Sequence, residues 1–101
     1  MHPMIKDSVW REDVEALAFQ PNGHGGFCIV HRHAFRTLLR RLPSDKECVE
    51  FFVGHQETFQ AAARAKVLRA KIADSDNFHI TSRDVLRQMR KSGLAPICII
   101  G

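Results

Sequence analysis

The chain of 101 residues has no tyrosine, one tryptophan and three cysteines, and each scarcity removes a class of explanation. Seven phenylalanines make up nearly all the aromatic content, which supplies apolar volume for a core but few polar handles. Cys28, Cys48 and Cys98 form an odd set with no paired spacing, which excludes a disulfide framework and any complete zinc-finger pattern. No apolar run approaches the roughly 18 residues that a membrane span needs, so no membrane partner is expected. No cationic start leads into a secretory apolar stretch, and the expected location is the cytoplasm, with reduced thiols. Glycines cluster in Pro21-Asn22-Gly23-His24-Gly25-Gly26, yet neither GxxxxGK[ST] nor GxGxxG is present, so the cluster reads as a hairpin turn rather than a nucleotide loop.

Hydrophobic residues at 45% and charged residues at 26% describe a globular chain and exclude a wholly disordered or collagen-like one. Its length suits one core, which at this size hides roughly two thirds of the unfolded chain's surface. Fifteen Lys and Arg against eleven Asp and Glu leave a net charge of +4, which permits attraction to phosphate-rich partners.

Residues 1–12 contain little that demands regular structure and are expected to form a mobile or weakly docked lead-in. Residues 13–92 carry the domain. Glu15 to Gln20 and Phe27 to Val30 read as two strands of a hairpin. Phe35, Leu38, Leu39 and Leu42 recur at helical spacing, predicting a first helix over Arg32 to Leu42 with Pro43 as its stop. Ser44 with Glu47 forms a capping-box signature for a second helix running to about Ile72 with Cys48, Phe52, His55, Phe59 and Ala62 inward; Gly54 marks a point of bend or break. Asp74 to Asn77 is a turn, Phe78-His79-Ile80 a third strand, and Thr81 with Asp84 caps a third helix ending near Lys91. Residues 93–101 are a C-terminal tail in which Ile97-Cys98-Ile99-Ile100 is an added strand, a partner-binding strand or a loose end. The expected fold is α+β: a small antiparallel sheet of three or four strands with three helices packed on one face.

Chemistry-bearing residues are few. His24, Cys28, His31 and His33 are weak metal candidates, set against the simpler reading of Cys28 as a buried small hydrophobe with the histidines at the strand-to-helix junction. Cys28 and Cys48 as nucleophiles, His55 as a proton carrier and an Asp84–His79 acid/base pair all lack supporting geometry in the linear order; packing and capping roles are favoured. No catalytic residue, cofactor or metal is therefore assigned, and the chain reads as a non-enzyme. Basic residues are more telling. Arg32, Arg36 and Arg40 recur every four residues on the first helix, and Arg83, Arg87, Arg90 and Lys91 form a similar face on the third. These seven are the candidate nucleic-acid contacts, without interleaved aromatics for base stacking and without a helix-turn-helix geometry. Ile97, Ile99 and Ile100 are the candidates for self-association.

The segments Phe27-Cys28-Ile29-Val30 before Phe35 and Leu38, Phe51-Phe52 with His55, Ala65-Lys66, and Ile80-Thr81-Ser82-Arg83-Asp84 together resemble the small bacterial domain of unknown function 1488 family. They cover about 70 residues, from Phe19 to Met89. His31 and Arg32 stand where that pattern more often has a hydroxyl cap, and the segment beyond Gly93 falls outside it. The resemblance implies a small bacterial α+β domain and brings no activity or catalytic residues. The expected function is accordingly a regulatory or protein-interaction domain without a catalytic centre, with an unknown protein or a second copy as partner. The alternative is a nonspecific nucleic-acid-binding accessory protein using the basic helix faces.

Overall fold

Four short strands and four helices follow one another in the computed structural model, which describes residues 8–91 and Gly93. Strands β1 (Ser8–Arg11), β2 (Ala16–Phe19) and β3 (Cys28–His31) come first. Helices α1 (Arg32–Leu39), α2 (Asp45–Gly54) and α3 (Gln56–Ala70) follow, then β4 (Phe78–His79) and α4 (Ser82–Lys91). The sheet has the order β1-β2-β3-β4, and the fold is α+β.

Two expectations about the sheet are corrected. Ser8–Arg11 lies within the segment read as a loose lead-in, yet it pairs antiparallel with β2, setting Trp10 opposite Leu17 and Arg11 opposite Ala16. The sheet is also mixed: β4 runs parallel to β3, with Cys28 opposite Phe78. Three intervening helices carry the chain back to the starting end of β3, the kind of long connection that parallel neighbours require. The expected tail strand at residues 97–100 lies outside the described residues.

Strand alternation divides the sheet. Trp10, Leu17 and Val30 stand in one row, and Phe19, Cys28 and Phe78 in the next, all on the face that the helices cover. Phe19 meets Phe52 with ring centroids 4.9 Å apart, Phe52 meets Phe59 at 5.3 Å, and Phe59 meets Phe35 at 5.9 Å. These tilted ring contacts knit β2, α1, α2 and α3 into one core.

The single long helix expected from Ser44 onward is two helices. Gly54 ends α2, and His55 takes φ −133° and ψ 34°, outside the helical range. The His55 Nδ1–H donates to the Phe51 carbonyl at 3.0 Å, and its ring stacks on Phe51 at 4.3 Å, so the break is satisfied from within. The start of α2 is as expected: Ser44 Oγ accepts from Glu47 N while Glu47 Oε1 accepts from Ser44 N. Helix α1 ends earlier than its spacing predicts. Arg40 adopts a left-handed conformation (φ 63°), which turns the chain away and leaves Leu42 70% exposed instead of buried.

The hairpin turn between β2 and β3 is stitched to the turn before β4. Gly25 N and Gly26 N donate to Asp74 O at 2.7 and 3.2 Å, Phe27 N donates to Asn77 Oδ1, and buried His24 donates Nε2–H to Asp76 O at 2.7 Å. Gly26 makes this approach feasible, because a Cβ there would lie 2.1 Å from the Asp76 carbonyl oxygen. Gly26→Ala is therefore expected to destabilise the fold by about 2 kcal/mol, as overpacked sites do. Chemical denaturation checks this, and an unchanged midpoint would show that the two turns separate freely.

Candidate basic face and amide-walled cleft

Charge is segregated by element. Helices α1, α3 and α4 together carry nine basic side chains and two acidic ones, Glu57 and Asp84. Most of the remaining acids collect in the β1–β2 turn (Glu12, Asp13, Glu15), in α2 (Asp45, Glu47, Glu50) and before β4 (Asp74, Asp76). Helix α4 packs against both α1 and α3, so the three basic helices adjoin. Arg36, Arg64, Arg69, Arg83, Arg87, Arg90 and Lys91 are exposed on them.

Asp84 is the buried exception within this layer. Burial works to raise its pKa, but hydrogen bonds from Thr81 N at 2.9 Å and Arg69 Nη2 at 3.1 Å outweigh that and hold it below the usual carboxylate range. Its backbone N–H in turn donates to Thr81 Oγ1, which completes the expected cap of α4. Arg87 lies 4.0 Å from the same carboxylate. Asp84 thus anchors the inner side of the layer through Arg69 and Arg87, and Arg36, Arg64, Arg83, Arg90 and Lys91 make no ion pair with it.

Of the seven residues expected to contact nucleic acid, Arg36, Arg40, Arg83, Arg87, Arg90 and Lys91 are exposed. Arg36 and Arg40, with Arg41, border a shallow groove of about 450 Å³ at the end of α1. Arg32 departs from the set. Its guanidinium lies 4.9 Å from the centre of the Trp10 ring, donates to Glu15 Oε1 at 3.2 Å and to Pro43 O at 2.8 Å, and pairs with Asp45. It joins β1, the β1–β2 turn and the start of α2, with each of its three nitrogens already donating within the fold.

The histidine and cysteine candidates are dispersed. Cys28 is buried on the helix-covered face, where desolvation pushes its thiol far above the ordinary range; Cys48 is buried too, with its pKa pushed up to about 11 by burial. Neither is poised as a thiolate nucleophile. His24 is held in the turn, whereas His31 and His79 adjoin on the side of the sheet opposite the helices, with ring centroids 5.8 Å apart. Among the described residues, no three His, Cys, Asp or Glu side chains come together as metal ligands. No helix among them is long and apolar enough to cross a membrane. Ile97, Ile99 and Ile100 lie outside the described residues.

The sequence reading missed one feature, a cleft of about 460 Å³ between the β2–β3 turn and the first half of α3. Phe19, Phe52 and Ala61 form its apolar side, and Gln20, Asn22, Gln56 and Gln60 supply amides. The recurrence of Gln56, Gln60 and Arg64 every four residues was the available signal, since it marks one polar stripe along a helix. Comparison with protein-family models, curated proteins and solved structures finds no match for this chain.

Two outcomes follow from these charges. Arg32→Ala is expected to cost about 2 kcal/mol, the scale of lost charged hydrogen bonds, and Arg32→Lys is expected to recover little of it. Trp10 fluorescence during denaturation reports both, and full rescue by lysine would contradict the need for a guanidinium. Glu47 is held at about 2, against an ordinary 4.5, first by Arg41 and then by the Ser44 N–H. A depressed folded pKa contributes stability that is complete above 4.5 and lost as pH falls toward 2. Glu47→Gln keeps the cap geometry and should flatten stability across that window; an unchanged pH profile would contradict the assignment.

Proposed function

We propose that the chain is a small, non-catalytic regulatory binding domain whose partner is nucleic acid, held through its phosphates on the α1, α4 and α3 face. The observation that carries this reading is the excess of basic over acidic side chains on three adjoining helices. Such a surface concentrates counterions and exchanges them for phosphates, an interaction that is sequence-tolerant and strongly salt-dependent. Apart from Phe27, the phenylalanines are turned into the core, so binding proceeds through charge rather than through a row of stacked bases. The two described cysteines are buried free thiols, which suits the reducing cytoplasm as the proposed location. Kinship with the domain of unknown function 1488 family is likewise proposed, on the residues quoted above, and concerns the fold.

A labelled single strand in fluorescence anisotropy tests the reading. Contact with four phosphates predicts a slope of about −3 for log affinity against log salt. Combining Arg36→Ala, Arg83→Ala and Arg90→Ala should weaken binding at least tenfold and flatten that slope by about 2, with the fold confirmed by circular dichroism. Absence of binding at low salt, or unchanged binding by the triple variant, would overturn the nucleic-acid assignment and leave a protein partner as the alternative.

A further inference from the structure

The cleft beside α3 has a division of labour that a plain surface depression lacks. Gln56, Gln60 and Arg64 form one ridge along the helix. Asn22 N–H donates to Gln60 Oε1 at 2.9 Å, which occupies the oxygen and leaves the Gln60 amino group with no protein partner among the described residues. Opposite, Gln20 Nε2 donates to Gly25 O at 3.1 Å, which leaves its Oε1 as an acceptor. The cleft is therefore lined by one amide with a free donor and one with a free acceptor, and its floor is the partly exposed Ala61 above the buried rings of Phe19 and Phe52.

Its charges are polarised as well. Glu57 stands at one end and Arg64 at the other, about 10 Å apart by the helical rise. Among the described residues neither has an ion-pair partner. A fitting ligand needs a flat apolar body, in-plane donors and acceptors, and an anion several ångströms from a donor. One nucleotide meets all of these: the base lies over the floor, its edge meets the amides, and its phosphate reaches Arg64. The volume lies within the roughly 300–1,000 Å³ of small-ligand sites. Two acceptors, Gln20 Oε1 and Glu57, select a base with an exocyclic amino group, because carboxylates and amide oxygens accept from such groups. Thymine and uracil have no such group and offer a single N3–H donor, so they satisfy one of the two acceptors and not both.

We infer that this cleft receives one unstacked nucleotide of a bound single strand, with a preference for amino-bearing bases such as cytosine. This inference rests on the nucleic-acid reading above and adds a base preference to it. Arg64 belongs both to the cleft and to the basic face of α3, so a strand held by its phosphates on that face has a charged route into the cleft.

Oligo(dC) and oligo(dT) of equal length, compared by fluorescence anisotropy at one salt concentration, separate the two ideas. The wild-type protein should prefer oligo(dC) about tenfold, the scale of one well-made base contact. Glu57→Ala and Gln56→Ala should each bring the ratio of oligo(dC) to oligo(dT) affinity toward one; Gln60 is spared because it anchors the turn. Equal affinity for both strands in the wild type, or a preference untouched by both variants, overturns the cleft assignment and leaves the basic face standing. Failure to bind either strand overturns the basic-face reading, and cytidine 5′-monophosphate then decides the cleft alone. Shifts of the Gln56 and Gln60 side-chain amide resonances on adding it, abolished by Glu57→Ala, uphold the assignment; their absence refutes it.

Discussion

One guanidinium organises this molecule. Arg32 sits at the junction of β3 and α1, and its planar donors reach Glu15, Pro43 and Asp45 while its face covers Trp10. A cation in the first turn of a helix meets an unfavourable dipole, and α1 has no acidic residue there to offset it. Glu15 and Asp45 supply the missing negative charge from other segments, so the local conflict becomes a long-range tie. Glu15 pays for its part with a left-handed backbone (φ 51°), and Arg32 N–H returns a hydrogen bond to the Glu15 carbonyl at 2.8 Å. That tie closes the sheet edge over the core and places the start of α2.

The same tie explains the distribution of charge. By drawing acids of the β1–β2 turn and of α2 around one arginine, it concentrates negative charge at one part of the molecule. Asp84 works similarly at small scale, since its single buried carboxylate satisfies the cap of α4 and holds Arg69. What remains on α1, α3 and α4 is an excess of cations with few acids among them. A modest net charge of +4 thus conceals a strongly polarised surface, and the polarity, rather than the total, is what a phosphate backbone would meet.

Features governed by near neighbours in the chain were legible in the sequence. The capping pairs Ser44 with Glu47 and Thr81 with Asp84 are such features, as are the hairpin glycines and the inward course of Cys48, Phe52 and Phe59. Features governed by distant partners were not. Ser8–Arg11 is only four residues long, too short to declare a strand by itself, and is fixed by β2 and by Arg32. Leu42 keeps helical spacing, but the turn at Arg40 takes it off the helix. The parallel pairing of β4 depends on where three helices return the chain. Arg32 looked like one rung of a basic stripe because its spacing matches Arg36 and Arg40, and only the fold reveals its acidic partners. The cleft was hidden for a related reason: glutamines are ordinary surface residues until a turn brings Gln20 and Asn22 opposite them.

Mapping backbone amide shifts on the isotope-labelled protein while adding an unlabelled single-stranded oligonucleotide at low salt tests this account most directly. A phosphate-binding face on the basic helices predicts shifts on the exposed sides of α1, α4 and α3, around Arg36, Arg64 and Arg83 to Lys91, with β1, the β1–β2 turn and α2 undisturbed. Shifts centred on the sheet face opposite the helices, around Val9, Ile29 and His79, or no shifts at all, would contradict it.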